Sequence, residues 1–313
     1  MAYVGHPVAG DPVYGPRKVI TSSMAVPARQ KDWVYPPRSG AYMEFEGGAR
    51  LFYRFLRSLG PGDPVEGERN TGLMDCSRYL LVTDVDGTLL DHTGTVPARN
   101  REAIAAFMQA GGGFCIASGR SRLSVQCLLE RIDLTVNRPC VLINGAMLYD
   151  YDKARVASLT PLPPVAEPFM HQVLREFPYV GAEVFVPDGI VMIRDNALLT
   201  HHRRYEEPPG SFIEVALSSV LWGKVLFAVP PENMSTLQAY CEAHAQPGLH
   251  FVASSDHYFE MMATKADKGE GVRTLARQFG YDLSHVAAIG DYYNDVESSR
   301  GGVPAVPDNA PRP

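Results

Sequence analysis

The chain has 313 residues, enough for about two domains with cores of their own. Hydrophobic residues make up 45% and charged residues 20%, which is typical of a globular protein and excludes a disordered or fibrous chain. The formal net charge of −6 gives no electrostatic footprint for nucleic acid, and no apolar run reaches the ~18 residues that span a bilayer.

The start of the sequence and its cysteines indicate the compartment. No charged segment followed by an apolar one opens the chain, so no signal peptide is predicted. The five cysteines form no C-x-x-C pair, and Cys115 lies inside an apolar run. We therefore expect reduced, mostly buried thiols and a cytoplasmic protein.

Residues 1–73 differ from the rest of the chain. They are rich in Gly, Pro and Arg, with weak hydrophobic periodicity, and a strand-like segment begins abruptly after Met74. We expect a poorly structured N-terminal extension, with Met74 as the natural start. The alternative is a regulatory or oligomerisation arm.

From residue 79 onward, strand and helix patterns alternate. Apolar runs predict strands over 79–83, 114–117 and 140–143, and amphipathic segments predict helices over 96–110 and 121–132. Because the connections are short and the strands read as continuous apolar runs, they predict a parallel sheet covered on both faces.

Residues 153–262 have a different pattern, which predicts an inserted α+β unit. A hairpin is expected around Pro187-Asp188-Gly189, joining strands over 180–186 and 190–194. Further strands are predicted over 212–217, 225–229, 250–253 and 258–262, with a helix over 233–245. A helix over 269–279 and a strand over 286–289 then resume the first pattern, so 74–152 and 263–313 form one interrupted domain.

The strongest chemical motif is Asp84-Val85-Asp86-Gly87-Thr88, directly after the first strand. Ligands bind at the carboxyl ends of strands in open α/β sheets, and acids two residues apart leave a strand on the same side. Such a pair suits phosphoryl transfer, with one Asp attacking phosphorus, the other exchanging a proton, and Mg²⁺ screening the charge. An acidic glycine turn is the simpler alternative, whereas Leu89 excludes a calcium loop, which needs glycine there.

Other strand ends carry complementary groups. Ser118-Gly119-Arg120 lies at a strand-to-helix junction, where a hydroxyl and free N–H groups cradle phosphate, although a plain helix cap is the alternative. Lys268 precedes a glycine at the start of a helix and is favoured over Lys265 for steadying the phosphate charge. The segment Gly290-Asp291-Tyr-Tyr-Asn294-Asp295 adds acids after the last strand.

Together these segments resemble the four ordered motifs of the haloacid dehalogenase (HAD) superfamily. Asn144-Gly145-Ala146 narrows the resemblance to the Cof-type phosphatases of subclass IIB. It covers roughly residues 75–310. The resemblance implies an α/β fold with a Rossmann-like HAD core, a mostly parallel sheet and an inserted α+β (C2B-type) cap domain at 153–262.

The resemblance also implies the role of each matched residue in Mg²⁺-dependent hydrolysis of a small phosphomonoester. Asp84 becomes an aspartyl-phosphate, Asp86 is general acid and then base, and Lys268 neutralises charge. Substrate or phosphate contacts are implied for Ser118, Gly119, Arg120, Asn144 and Asn294. Metal contacts are implied for Asp84, Asp86, Asp291 and Asp295.

Two departures from the family pattern keep alternatives open. The N-terminal extension is one, and the short segment after the fourth motif, 301–313, is the other. A phosphosugar mutase would use the same residues and return the phosphoryl group to a sugar. A non-catalytic sugar-phosphate binder or defective fragment is the second alternative. The expected partner is a small phosphorylated metabolite, with neither nucleic acid nor a membrane.

Overall fold

The computed structural model describes residues 75–91, 93–205, 208–290 and 303–305. The expectations for residues 1–73, for the fourth motif and for most of 301–313 therefore lie outside the described residues. No helix in the described ranges has both the length and the apolar character to cross a membrane.

Strands and helices alternate through most of the described chain. The strands are β1 (Leu80–Thr83), β2 (Gly113–Ile116), β3 (Cys140–Leu142), β4 (Met147–Asp150), β5 (Arg155–Leu159), β6 (Gly181–Val186), β7 (Gly189–Arg194), β8 (Lys224–Ala228), β9 (Leu249–Ala253), β10 (Tyr258–Ala263), β11 (Val286–Ile289) and β12 (Val303–Ala305). The α-helices are α1 (Ala98–Gln109), α2 (Arg122–Arg131), α3 (Ala166–Glu176), α4 (Ala197–Tyr205), α5 (Met234–Ala243) and α6 (Lys268–Phe279).

A parallel sheet in the order β12-β11-β1-β2 forms the first layer. All four residues of β1 and of β2 are buried, as expected for strands covered on both faces. A single parallel bridge from Ala117 to Val141 continues this layer to β3. Strand β3 then pairs antiparallel with β4, and β4 with β5. The predicted mostly parallel sheet is confirmed.

The chain between β5 and α6 forms a five-stranded antiparallel sheet in the order β7-β6-β8-β10-β9. One face packs with α3 and α5 around Phe169, Val184, Phe227 and Leu237. The other face contributes apolar side chains to the same core as β1 and β2. The inserted α+β cap is thus confirmed. Its sheet lies between α3 and α5 on one face and, on the other, the two sheets formed by β1–β5, β11 and β12, which carry the predicted site residues and are called the catalytic layers below. Because β5 pairs with β4, it belongs to the catalytic layers, and the antiparallel sheet of the cap begins only after β5.

Most predicted elements appear within a few residues of their expected bounds, with one exception. The strand predicted over 212–217 is wrong. Phe212 makes only a single bridge, to Ile190, and a 3-10 turn follows at Leu217–Ser219. The alternation of apolar and polar residues was present, but most of the segment finds no strand partner among the described residues.

Candidate active site

Asp84 and Lys268 form a buried ion pair where β1 ends. The Lys268 ammonium donates to Asp84 Oδ1 at 2.8 Å, and both side chains are at least nine-tenths buried. The Asp84 N–H donates to the Ile289 carbonyl of β11 at 2.7 Å, which fixes the main chain at the carboxyl edge of the sheet. Lys265, the competing candidate, is exposed, so Lys268 is the lysine that reaches the predicted nucleophile.

The turn after β3 places Lys268 at the first position of α6. Asp267 caps this helix by accepting from the Glu270 N–H at 2.7 Å. Gly145 has φ +93°, and a Cβ there would lie 1.9 Å from the Asp267 carbonyl oxygen. Only glycine allows the turn to approach the helix start this closely, and that contact sets the position from which Lys268 reaches Asp84.

Ser118 is buried in the loop that follows β2. Its N–H donates to the Val141 carbonyl at 2.8 Å and its carbonyl accepts from the Asn144 N–H at 3.1 Å. Its hydroxyl oxygen accepts from the Arg120 N–H at 3.2 Å. The main chain around Ser118 is therefore held from two sides. Helix α2 starts just beyond it, capped by Ser121, so a helix N-terminus also lies near this loop.

Asp86 lies in a π-helical turn at Val85–Leu89 and points to Arg120. The guanidinium donates through Nε and Nη2 to the two carboxylate oxygens at 3.0 and 2.9 Å, while the Asp86 side chain stays 59% exposed. Desolvation by itself raises the pKa of Asp86, but Arg120, and then Lys268, outweigh it and bring the pKa below its ordinary value. Asp86 is thus ionised at neutral pH in this arrangement.

Asn144 lies deeper than a surface substrate contact would. It is buried, its backbone is left-handed with φ 51°, and its side-chain amide donates to Glu260 of β10. It also packs against Gly119, where an added Cβ would be 2.7 Å from Asn144 Oδ1. A side chain at position 119 would therefore push the Asn144 amide away from its present place. The role of Asn144 in binding substrate stays a prediction.

The cap contributes two buried charges that sequence reasoning missed. Lys224 of β8 donates to the Gly119 carbonyl and to Glu260 Oε1, each at 2.9 Å. Both side chains are almost fully buried. In the sequence, Lys224 and Glu260 are single charged residues within apolar strands, and no local pattern distinguishes them from residues facing solvent.

The predicted residues of the fourth motif lie outside the described residues. Strand β11 pairs with β1 and ends at Ile289, and Asp291 follows two residues later in the chain. Within the described ranges no three His, Cys, Asp or Glu side chains gather as a metal cluster. The five cysteines are free, and burial raises the pKa of the Cys140 thiol to about 12, which argues against a thiol nucleophile.

At the end of β1, an aspartate is paired with a buried lysine, beside the loop that contains Ser118 and beneath the inserted α+β unit. This combination is typical of enzymes that act on phosphate groups. The sequence profile of the haloacid dehalogenase-like hydrolases matches residues 81–297. The chain belongs to this family.

Named relatives and solved structures agree with this assignment. Phosphatase YwpJ of Bacillus subtilis is 24% identical, with 72% of this chain and 88% of that protein aligned. Pyridoxal phosphate phosphatase YbhA of Escherichia coli is 23% identical, with 69% and 82% aligned. A solved HAD subclass IIB sugar phosphatase superposes with a TM-score of 0.62 at 18% identity, over 74% of this chain and 88% of that one. The predicted class, a HAD-type phosphatase, is confirmed.

Proposed function

We propose that the protein hydrolyses a small phosphomonoester in a Mg²⁺-dependent reaction, through an aspartyl-phosphate formed on Asp84. The observation that carries this proposal is the buried Asp84–Lys268 pair at the carboxyl end of β1. A lysine placed there keeps the aspartate ionised and ready to attack, and its charge also attracts a phosphate dianion. The names of the relatives support the reaction class.

The donor chemistry of the site fits Mg²⁺. Asp84 would supply a carboxylate oxygen and Asp86 its main-chain carbonyl oxygen, hard ligands that this ion prefers over the nitrogen and sulfur ligands of zinc. Asp291 and Asp295 are proposed to complete the set, and both follow β11 in the sequence. When bound, the ion would neutralise charge on the transferring phosphoryl group and orient it towards Asp84.

The protein residues account for the two halves of the reaction. In the first half, a carboxylate oxygen of Asp84 bonds to phosphorus, the bond from phosphorus to the ester oxygen breaks, and Asp86 gives a proton to that oxygen. In the second half, a water oxygen bonds to phosphorus and gives its proton to Asp86, while the bond from phosphorus to the Asp84 oxygen breaks, which regenerates the Asp84 carboxylate and releases phosphate. Lys268 and the hydroxyl of Ser118 hold the phosphoryl oxygens.

Asp86 has to carry a proton before the first step. While Arg120 contacts Asp86, it lowers the pKa of that carboxyl, so Asp86 is charged at neutral pH. A phosphate dianion arriving beside it would counter the charge of Arg120 and Lys268 and raise that pKa. Substrate binding would thereby prepare the general acid, and proton transfer to the ester oxygen would leave Asp86 as the base for the second half.

The cap is proposed to supply substrate specificity. Its five-stranded sheet faces the catalytic layers and contributes to their core, so a substrate at Asp84 would be covered by it. The relatives' names include phosphatases of a sugar phosphate and of pyridoxal phosphate, and the substrate proposed here is of that size.

Phosphate release from p-nitrophenyl phosphate and a panel of sugar phosphates, with Mg²⁺ or EDTA, tests the proposal. Release is expected with Mg²⁺, and is expected to be lost with EDTA and in Asp84→Asn. Lys265→Met is the control, since this exposed lysine lies close to the site in sequence and contributes no contact to Asp84. Release that persists in EDTA and in Asp84→Asn would refute the proposed chemistry.

A further inference from the structure

A buried ion pair of the cap lies against the phosphate-binding loop. Lys224 and Glu260 come from neighbouring strands β8 and β10, and their charged atoms are 2.9 Å apart with 3% and 4% of the side chains exposed. The Lys224 ammonium also lies 4.3 Å from the centroid of the Phe185 ring. Burying two charges contributes little to stability, because their desolvation offsets most of their attraction. The role of Lys224 and Glu260 therefore has to be inferred from the atoms that their side chains contact.

Each member of the pair holds a different segment of the catalytic layers. Lys224 donates to the main-chain carbonyl of Gly119, between Ser118 and Arg120, at 2.9 Å. Glu260 accepts Lys224 and the hydroxyl of Ser254 on Oε1, and it accepts the Asn144 amide on its other oxygen. The pair is thus bonded on one side to the loop after β2 and on the other to the turn after β3.

The contact with Gly119 fixes the direction of a neighbouring donor. A trans peptide is planar, so the Gly119 carbonyl and the Arg120 N–H point in opposite directions. When Lys224 holds that carbonyl towards the cap, the Arg120 N–H is turned away from the cap. This N–H donates to the Ser118 hydroxyl oxygen at 3.2 Å. The orientation of the Ser118 hydroxyl therefore depends on a cation of the cap.

The contact with Asn144 acts on the same loop from the other side. Asn144 packs so closely on Gly119 that an added Cβ would lie 2.7 Å from its Oδ1. Glu260 holds the amide of Asn144 and so keeps this residue against Gly119. The same turn contains Gly145, which contacts the start of the helix that bears Lys268.

We propose that Lys224 and Glu260 are positioning residues for phosphate binding, which set the peptide between Gly119 and Arg120 and through it the Ser118 hydroxyl. This inference rests on the proposed phosphatase function. It makes the cap part of the phosphate site, in addition to its cover over the substrate. The pair influences how the phosphoryl group is bound, so its effect on binding should be the same for substrates that differ elsewhere.

The test uses the double variant Lys224→Met/Glu260→Gln of the full chain. Both charges are removed together, so no lone buried charge remains, and the glutamine oxygen can still accept from Asn144. We expect the Kd for inorganic phosphate in the presence of Mg²⁺, measured by isothermal titration calorimetry, to rise about tenfold or more, because a charge-assisted hydrogen bond that orders the loop is lost. The kcat with p-nitrophenyl phosphate should fall by a similar factor.

A Kd distinguishes positioning from a structural role. A merely destabilised protein has fewer active molecules, but those that remain bind phosphate with unchanged affinity. Arg138→Met is the matched control, since Arg138 donates to the Asn137 carbonyl at 2.6 Å near the amino end of β2, at the opposite edge of the sheet. We expect this control to lower the melting temperature and to leave the phosphate Kd within about twofold of wild type.

The outcomes separate this inference from the proposed function. Wild-type hydrolysis that needs Asp84, with a phosphate Kd of the double variant equal to that of wild type, overturns the positioning role alone. Absence of both hydrolysis and phosphate binding in wild type overturns both. If the double variant does not fold, Lys224→Leu/Glu260→Gln, which likewise leaves no lone buried charge, decides with the same expected rise in Kd, and an unchanged Kd again overturns the inference.

Discussion

Replacing Lys268 by Met removes the cation from the buried ion pair that holds the predicted nucleophile, Asp84. At 2.8 Å, the attraction between the Lys268 ammonium and Asp84 is about 6 kcal/mol for an effective dielectric constant of 20. Desolvation of both groups offsets part of this, and breaking such a pair by deleting one partner costs about 3–5 kcal/mol. We expect Lys268→Met to lose that much unfolding free energy at pH 7.5.

Urea denaturation at two pH values measures this effect. The variant leaves Asp84 as a buried carboxylate without its cation, and protonation relieves that penalty. The difference from wild type should therefore be largest at pH 7.5 and should shrink as the pH falls towards 4. The kcat should fall by about 10² to 10³ because a positive charge that stabilises the transition state is lost. Lys265→Met, matched in residue type and exposed, should change neither quantity.

The electrostatic role of the ion pair is refuted if Lys268→Met and Lys265→Met unfold at the same urea concentration. It is equally refuted if the stability loss of Lys268→Met does not depend on pH, since an apolar packing defect would behave in that way. A stability loss with unchanged kcat would keep the structural account and remove Lys268 from the proposed chemistry.

Two further predictions concern the geometry around the site. Arg120→Met removes the main cause that lowers the pKa of Asp86, so the alkaline limb of the kcat–pH profile, where Asp86 loses the proton it needs for the first step, should move to higher pH, and an unmoved limb would contradict the role of that pair. Gly145→Ala forces a Cβ to within 1.9 Å of the Asp267 carbonyl oxygen and should destabilise by about 3 kcal/mol or more in urea. Gly210→Ala, also at φ +93° but with open space around it, should cost only about 1 kcal/mol, and equal losses would contradict the close-approach argument.

The sequence predicted the catalytic layers well, for a physical reason. Strands β1, β2 and β11 are short, continuous apolar runs because both of their faces are covered, and each is followed by a polar cluster at its carboxyl end. This pattern is local, so a single sequence shows it. Lys268, at the first position of its helix, lies beside Asp84, whereas Lys265 is exposed; the role of Lys268 in catalysis stays a prediction.

Elements that depend on distant partners were harder to predict. Strands β4 and β5 were not predicted. Strand β4 pairs with β3 only after a tight left-handed turn whose conformation comes from Asn144 and Gly145, and β5 in turn pairs with β4. Helix α3 was not predicted, and Pro168 near its start reads as a breaker although the first turn tolerates it.

Buried charges form a separate group that the sequence did not reveal. Lys224 and Glu260 look like ordinary surface residues in their strands, and only the antiparallel pairing of β8 with β10 brings them together. The bidentate contact between Asp86 and Arg120 also depends on the packing of the loop after β2 beside the turn after β1. Sequence spacing places both residues at strand ends and does not specify their orientation.

The most direct test of the central claim is the trapping of a phosphoryl group on Asp84. The Asp86→Asn variant is suited to this, because it lacks the base for the second half of the reaction, while p-nitrophenolate leaves without needing a proton. Rapid mixing with p-nitrophenyl phosphate and Mg²⁺, acid quenching and peptide mass spectrometry should show one phosphoryl group on the peptide that contains Asp84. A variant that releases p-nitrophenol while this peptide stays unmodified at every quench time would contradict a covalent intermediate on Asp84.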